Sequence, residues 1–242
     1  MSTTVPVERP PSVWEDLLEI FYAPTAVFER RRETPAFGLA LLVLVVLIVL
    51  LSFAFKGLTE PIFDAEFKRG MAQAMKQNPR LTPEMVAGFR ETAKKFVLVA
   101  IGFYGLITPI LLGMLLWLVG KVLDSKAEMG QTIMVATYAM FPRVVEAILN
   151  AVQLLVLPED SIKSRFGLTF GAGRLLDPDQ ASPYLLAILG RVDLFTLWVT
   201  LLLGIGLAVM GRIPKGRAFV GAALMWVIGA LPGLWGAVRA AG

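Results

Sequence analysis

The stretch Met129–Leu157, MGQTIMVATYAMFPRVVEAILNAVQLLVL, decides how this chain is read. It is long and apolar enough to cross a bilayer, yet Arg143 and Glu146 lie near its middle. A charged side chain at that depth costs about 2.5–3.5 kcal/mol on insertion scales, so it must face protein or water rather than lipid. On a helix, Arg143, Glu146, Asn150 and Gln153 stand at i, i+3, i+7 and i+10 and share one face. The other faces are Val, Ala, Ile and Leu. The pattern therefore predicts a helix with one polar seam that the other spans must bury. Pro142, just before the seam, removes a backbone donor and predicts a kink.

Composition agrees with a membrane chain. Of 242 residues, 56% are hydrophobic, and mean hydropathy is +0.69. The apolar residues fall in runs of bilayer length. Cysteine and histidine are both absent. That removes the thiol nucleophile and the commonest general base and transition-metal ligand, so the sequence predicts no enzyme, cofactor or metal. A net charge of +4, dispersed over several loops, predicts no nucleic-acid partner. The N-terminus lacks the basic start and apolar core of a signal peptide.

Outward from the seam, four more runs match the bilayer: about 36–55, 96–120, 194–211 and 218–238, with 130–157 as the third span. The expected fold is all-α, an integral membrane bundle of five transmembrane helices with amphipathic N-terminal and loop helices. Residues 1–34 form an N-terminal segment and 35–242 the membrane domain. Within the first segment, Pro6, Pro10 and Pro11 mark a disordered lead-in. Ser12 and Glu15 form a capping box. Trp14, Leu17, Leu18 and Phe21 make an apolar face opposite Glu15, Asp16 and Glu19, so this helix is expected to dock on the bundle or lie shallowly in the interface, the alternative being a partner-binding helix. A second short helix opens at Pro24 and ends in Glu29–Arg32.

The loop Lys56–Lys95 holds two helical patterns, one with Phe63, Phe67, Met71 and Met75 four apart and ending at Asn78-Pro79. The loop 158–193 is broken by Pro158, Pro178 and Pro183, and Pro183–Gly190 is too short to span. Its Gly171–Arg174 run is too short and isolated for a phosphate loop. Asp193, Thr196 and Thr200 share a face of span four. That face is expected to meet the seam, with Gly204 permitting close approach. Gly229 and Gly233 flank Pro232 in span five as a packing surface.

Five spans put the ends on opposite sides. The basic residues Arg30–Arg32 and the acid-free turn Arg212–Arg217 favour an internal N-terminus, although eight basic residues lie in 56–95 on the other side. Turns 30–35 and 211–217 should share a side, opposite 56–95 and 158–192.

The segments PTAVFER before span one, ATYAMFPRVVEAIL in span three and, most specifically, RVDLFTLWVTLLLGIGLAVMG at Arg191–Gly211 resemble the Yip family. Its eukaryotic members were named for interaction with Ypt/Rab small GTPases. The similarity covers most of residues 17–238. It implies five spans and a cytoplasmic N-terminus, and this short chain without a long N-terminal domain resembles the prokaryotic members. The family supplies no catalytic residue.

Function then divides between two expectations. One is a non-catalytic protein of the cytoplasmic (inner) membrane that recruits a partner, organises the membrane or assists a transporter; its partners are the bilayer and another membrane protein or a second copy. The alternative is a small transporter or channel using the seam, Arg143, Glu146, Asn150, Gln153, Asp193, Thr196 and Thr200. No inverted repeat supports the latter. An intramembrane enzyme using Glu146 and Asp193 lacks any supporting constellation.

Overall fold

A computed structural model of the chain describes residues 12–78, 80–157 and 164–241. The expected lead-in over 1–11, together with Pro79 and Pro158, lies outside the described residues. Among these, the fold is all-α, with one isolated bridge, Gly171–Asp193, and no strand.

Two short helices, α1 (Val13–Glu19) and α2 (Pro24–Arg30), precede the first span, α3 (Gly38–Ala54). The capping box at Ser12 and Glu15 forms as its sequence dictates. At Phe55 the chain turns by 86° into α4 (Lys56–Gln77), no residue of which is buried. Next comes α5 (Pro83–Val122), one unbroken helix that passes through Pro109. Forty residues make it about 60 Å long, roughly twice the hydrocarbon core. It is thus long enough to cross the core at the apolar run expected as the second span and to continue well past it.

α4 is tied to the first part of α5 by Arg90–Asp64 and Lys94–Glu60 pairs. The hydrogen bond from Arg90 holds the Asp64 carboxyl below its ordinary range, and the bond from Lys94 does the same for Glu60. Both depressed groups favour this pairing above the usual carboxylate range and lose it as pH falls through their lowered values.

The third span is two helices, α6 (Met129–Ala139) and α7 (Pro142–Val156). The break at Met140–Phe141 is the kink Pro142 imposes. The Phe141 N–H turns back to the Tyr138 carbonyl at 3.2 Å, and Arg143 and Val144 donate to Met140 and Phe141 in the same tight register. Thus the carbonyl that Pro142 leaves without a donor is satisfied locally.

α6 is the centre of the bundle. Met134, Val135, Ala136 and Tyr138 are fully buried. Glycines on both sides let its neighbours approach: a Cβ at Gly113 of α5 would stand 2.4 Å from the Ile133 backbone, and one at Gly206 would meet Val135 at 2.3 Å. Gly206 belongs to α9 (Leu194–Gly211), the fourth span. With no hydrophobic force between helices in lipid, such close backbone contact is what holds spans together.

Before α9, residues 164–192 form two short 3-10 turns (Arg165–Leu168, Ala172–Leu175) and the half-helix α8 (Pro183–Leu189). The expected fifth span is also divided, into α10 (Lys215–Ile228) and α11 (Leu231–Ala241), with the break at Gly229–Ala230. α8 packs along α11. Four helical units are long and apolar enough to cross a membrane, or up to five if α3 and the helix it bends into are counted as one span.

Contacts between turns set relative sides. Arg212 reaches Glu33 (3.5 Å), Arg217 reaches Asp124 (3.3 Å), and the Arg32 carbonyl accepts from Gln131 (2.8 Å). At the other end Arg69 of α4 pairs with Asp179 (2.9 Å), and Gln77 donates to the Arg239 carbonyl (2.9 Å). In the cysteine-free chain, Lys68→Cys and Lys215→Cys, both at exposed positions, should label with an impermeant maleimide from opposite faces of sealed vesicles. Labelling from one face would contradict this arrangement.

Candidate functional site

The polar residues singled out in the sequence divide into two groups. In the first, Arg143 at the start of α7 donates to Glu146 (2.6 Å) and to the Thr196 hydroxyl of α9 (2.8 Å), and lies 3.9 Å from Asp193. Asp193 is 3% exposed and caps α9: one carboxylate oxygen accepts from the Phe195 and Thr196 N–H groups at 2.9 and 3.1 Å. The other oxygen accepts from Phe170 N–H at 2.8 Å. A carboxylate is well placed here because the helix N-terminus presents free donors and a partial positive charge.

In the second group, Gln153 does not reach α9. It donates to Asn150 (3.3 Å) and to the Leu168 carbonyl (3.0 Å) and accepts from Arg174 (2.8 Å), so it ties α7 to the 164–175 loop. Thr200 donates to the Thr196 carbonyl of its own helix (2.8 Å). Gly204 does not serve the seam either; it faces α10, where its Cβ would meet Phe219 at 2.7 Å. Close approach to the third span is made by Gly206, and to α6 rather than α7, because the kink at Met140–Phe141 redirects the seam away from that contact.

Gly171 explains how the loop reaches Asp193. A Cβ there would fall 1.9 Å from the Val192 carbonyl oxygen. The Ala172 N–H donates to that same carbonyl at 3.0 Å, and Leu194 N–H to Phe170 at 3.2 Å. The Gly171–Arg174 run is thus a backbone clamp on the start of α9.

Arg143, Glu146, Asn150, Asp193 and Thr196 line a cavity of about 450 Å³, together with Arg165 and Arg191. Sequence reading gave neither arginine a role. Both flank helices, where a basic residue is ordinary. Asn150 also borders a second, apolar cavity of about 420 Å³ between α3, α4, α5 and α7, walled by residues such as Leu51, Phe55, Phe63 and Val97.

A second polar centre was missed altogether. Asp16 of α1 is fully buried and accepts from Arg30 (2.5 Å) and Arg31 (2.6 Å); Arg30 also pairs with Glu19 (2.5 Å). The fully buried Tyr138 lies beside this knot. The inward face of α1 is therefore Asp16, Leu17 and Ile20, while Trp14 and Leu18 are 60% and 69% exposed. This corrects the expected face. In a membrane chain the outward side is apolar too, so an apolar stripe does not mark which side faces protein, whereas an ionisable residue does. Phe21, just past α1, meets Trp198 edge-on at 5.7 Å. Trp198 is fourteen residues from Arg212, about 21 Å of helix, so the α1–α2 turn reaches well past the Glu33–Arg212 level. The pair is a wedge against α9, docked on the bundle.

Among the described residues no cluster of His, Cys, Asp and Glu is arranged to hold a metal ion. No curated protein and no solved structure matches the chain. The family model described as the Yip1 domain matches residues 18–236, from the end of α1 into α11; this takes in the Arg143–Asp193 centre and the arginines that meet Asp16, though not Asp16 itself, and the chain belongs to that family.

Proposed function

We propose that this Yip1-family membrane protein is non-catalytic and works by holding a partner at the membrane, as a recruiting, membrane-organising or transport-accessory factor. The partner is another membrane protein or a second copy of the chain. Its place is the cytoplasmic (inner) membrane, with the N-terminus in the cytoplasm and the C-terminus opposite, and its organisation is that of a prokaryotic member of the family. One observation carries the reading: α4 has no buried residue, yet three sets of ion pairs, to Arg90, Lys94 and Asp179, hold it in a defined place, turned 86° away from α3. A helix so fixed, with Phe63, Phe67 and Met71 half-buried along it, is a surface prepared for contact.

The alternative, a small transporter or channel, draws on the polar cavity lined by Arg143, Glu146, Asn150, Asp193 and Thr196. Reconstitution separates the two. Liposomes containing the purified protein should pass protons and small ions no faster than empty ones. A photo-crosslinker at Met75 in native membranes should give an adduct of defined mass that Phe67→Ser with Met71→Ser abolishes. Protein-dependent flux without an adduct would replace the recruiting role by the transport one.

A further inference from the structure

The cavity between α7, α8, α9 and the α10–α11 break has an unbalanced charge. Three guanidinium groups, Arg143, Arg165 and Arg191, face two carboxylates, Glu146 and Asp193. Both carboxylates are already committed: Glu146 to Arg143, and Asp193 to three backbone N–H groups. Arg165 rests against the Phe166 ring at 5.0 Å and makes no ion pair among the described residues.

Arg191 is the telling group. Its Nε is buried without a hydrogen-bond partner. Its guanidinium lies over the Trp226 ring at 5.7 Å, and the Trp226 indole N–H fixes the Arg191 carbonyl at 3.3 Å. Space for it is kept by Gly229, where a Cβ would stand 2.7 Å from Nη2. The fold thus breaks its last span at a glycine to seat a cation and offers that cation no acceptor among the described residues. A buried donor with no partner is costly, and an anion is the partner that the chemistry of the site calls for. Arginine's planar fork suits the paired oxygens of a phosphate.

We propose that this cavity binds a phosphate-class oxyanion, held by Arg191 and Arg165, with Arg143 completing the positive wall. The oxyanion is either the headgroup of an anionic phospholipid or a free phosphate. α8 and α11, which line the cavity through Leu186, Ala187 and Gly233, also carry the exposed apolar residues Leu185, Ile188, Leu231 and Trp235, against which acyl chains can lie. The site does not depend on the partner-recruiting role.

The test is a titration of the full chain in neutral detergent with short-chain phosphatidylglycerol, short-chain phosphatidylcholine and inorganic phosphate. Saturable binding of phosphatidylglycerol or phosphate, in preference to phosphatidylcholine, is expected. Arg191→Gln should weaken it about tenfold or more, the worth of one charge-assisted hydrogen bond. Arg165→Gln should weaken it too. Gly229→Ala, which crowds the guanidinium without altering charge, should act in the same direction and serves if Arg191→Gln does not fold. Arg174→Gln, whose partner is Gln153 outside this cavity, should leave binding unchanged. If phosphatidylglycerol binds and phosphate neither binds nor competes, the ligand is the lipid; if phosphate binds with equal strength alone, it is the free oxyanion. Absence of binding by both, or binding indifferent to Arg165→Gln and Gly229→Ala, overturns the proposal.

Discussion

Asp16→Leu is expected to release the N-terminal helix pair from the bundle. Asp16 is fully buried and is the shared acceptor of Arg30 and Arg31, whose side chains are 28% and 13% exposed. Leucine removes the anion to which both arginines donate, while Glu19 keeps its pair with Arg30. Breaking a buried pair from one side costs about 3–5 kcal/mol, far more than removing all its members. The knot joins α1 to α2, so the loss should appear as detachment of α1–α2 rather than global unfolding. Limited proteolysis in 31–36 should accelerate, and the Trp198 emission should change as Phe21 withdraws from the ring. Asp16→Asn keeps an acceptor but not the charge and should be milder. Proteolysis and emission identical to wild type in Asp16→Leu would show that the wedge is held by Leu17, Ile20, Val27 and Phe28 alone.

The second large effect is at Arg143 and Glu146. Arg143→Leu leaves Glu146, 16% exposed, and Asp193, 3% exposed, as neighbouring carboxylates without their cation. It should be the more harmful single change, approaching about 3–5 kcal/mol less whatever water in the cavity recovers. Glu146→Leu leaves Arg143 its bond to Thr196 and its proximity to Asp193, so its cost should be lower, about 1.5–3 kcal/mol. The double replacement removes both charges and keeps apolar volume, and folded yield on size exclusion should largely return. If the double variant folds and keeps the α4-dependent adduct, the pair is scaffold. If it folds and loses that adduct, the pair carries function. Equal folded yield for Arg143→Leu and wild type would mean that water in the cavity solvates the site fully.

What the sequence determined by itself follows from the bilayer acting locally. A hydrocarbon layer demands about twenty apolar residues per span and internal satisfaction of every backbone group, and runs such as Leu194–Gly211 meet that demand without reference to the rest of the chain. Pro142 likewise announces its own break, and Arg143, Glu146, Asn150 and Gln153 announce a shared face, because helical period is a local property. Asp193 at the mouth of span four was legible for the same reason, and the family match over residues 18–236 agrees with the resemblance carried by that segment.

Tertiary structure decided everything that depends on which helix lies beside which. In lipid the apolar stripe of α1 points both inward and outward, so Asp16 was placed on the wrong face until Arg30 and Arg31, fourteen and fifteen residues on, came to meet it. Gly204 and Gly206 are equivalent as small residues in sequence; only packing assigns the first to Phe219 and the second to Val135. Arg191 looked like an ordinary flanking cation. Its significance lies in what surrounds it: a glycine that makes room, an indole that supports it, and, among the described residues, no carboxylate left to neutralise it. These relations join residues up to thirty-eight positions apart, from Arg191 to Gly229, and no local pattern encodes them, because the energy of a buried charge is set by its neighbours in space.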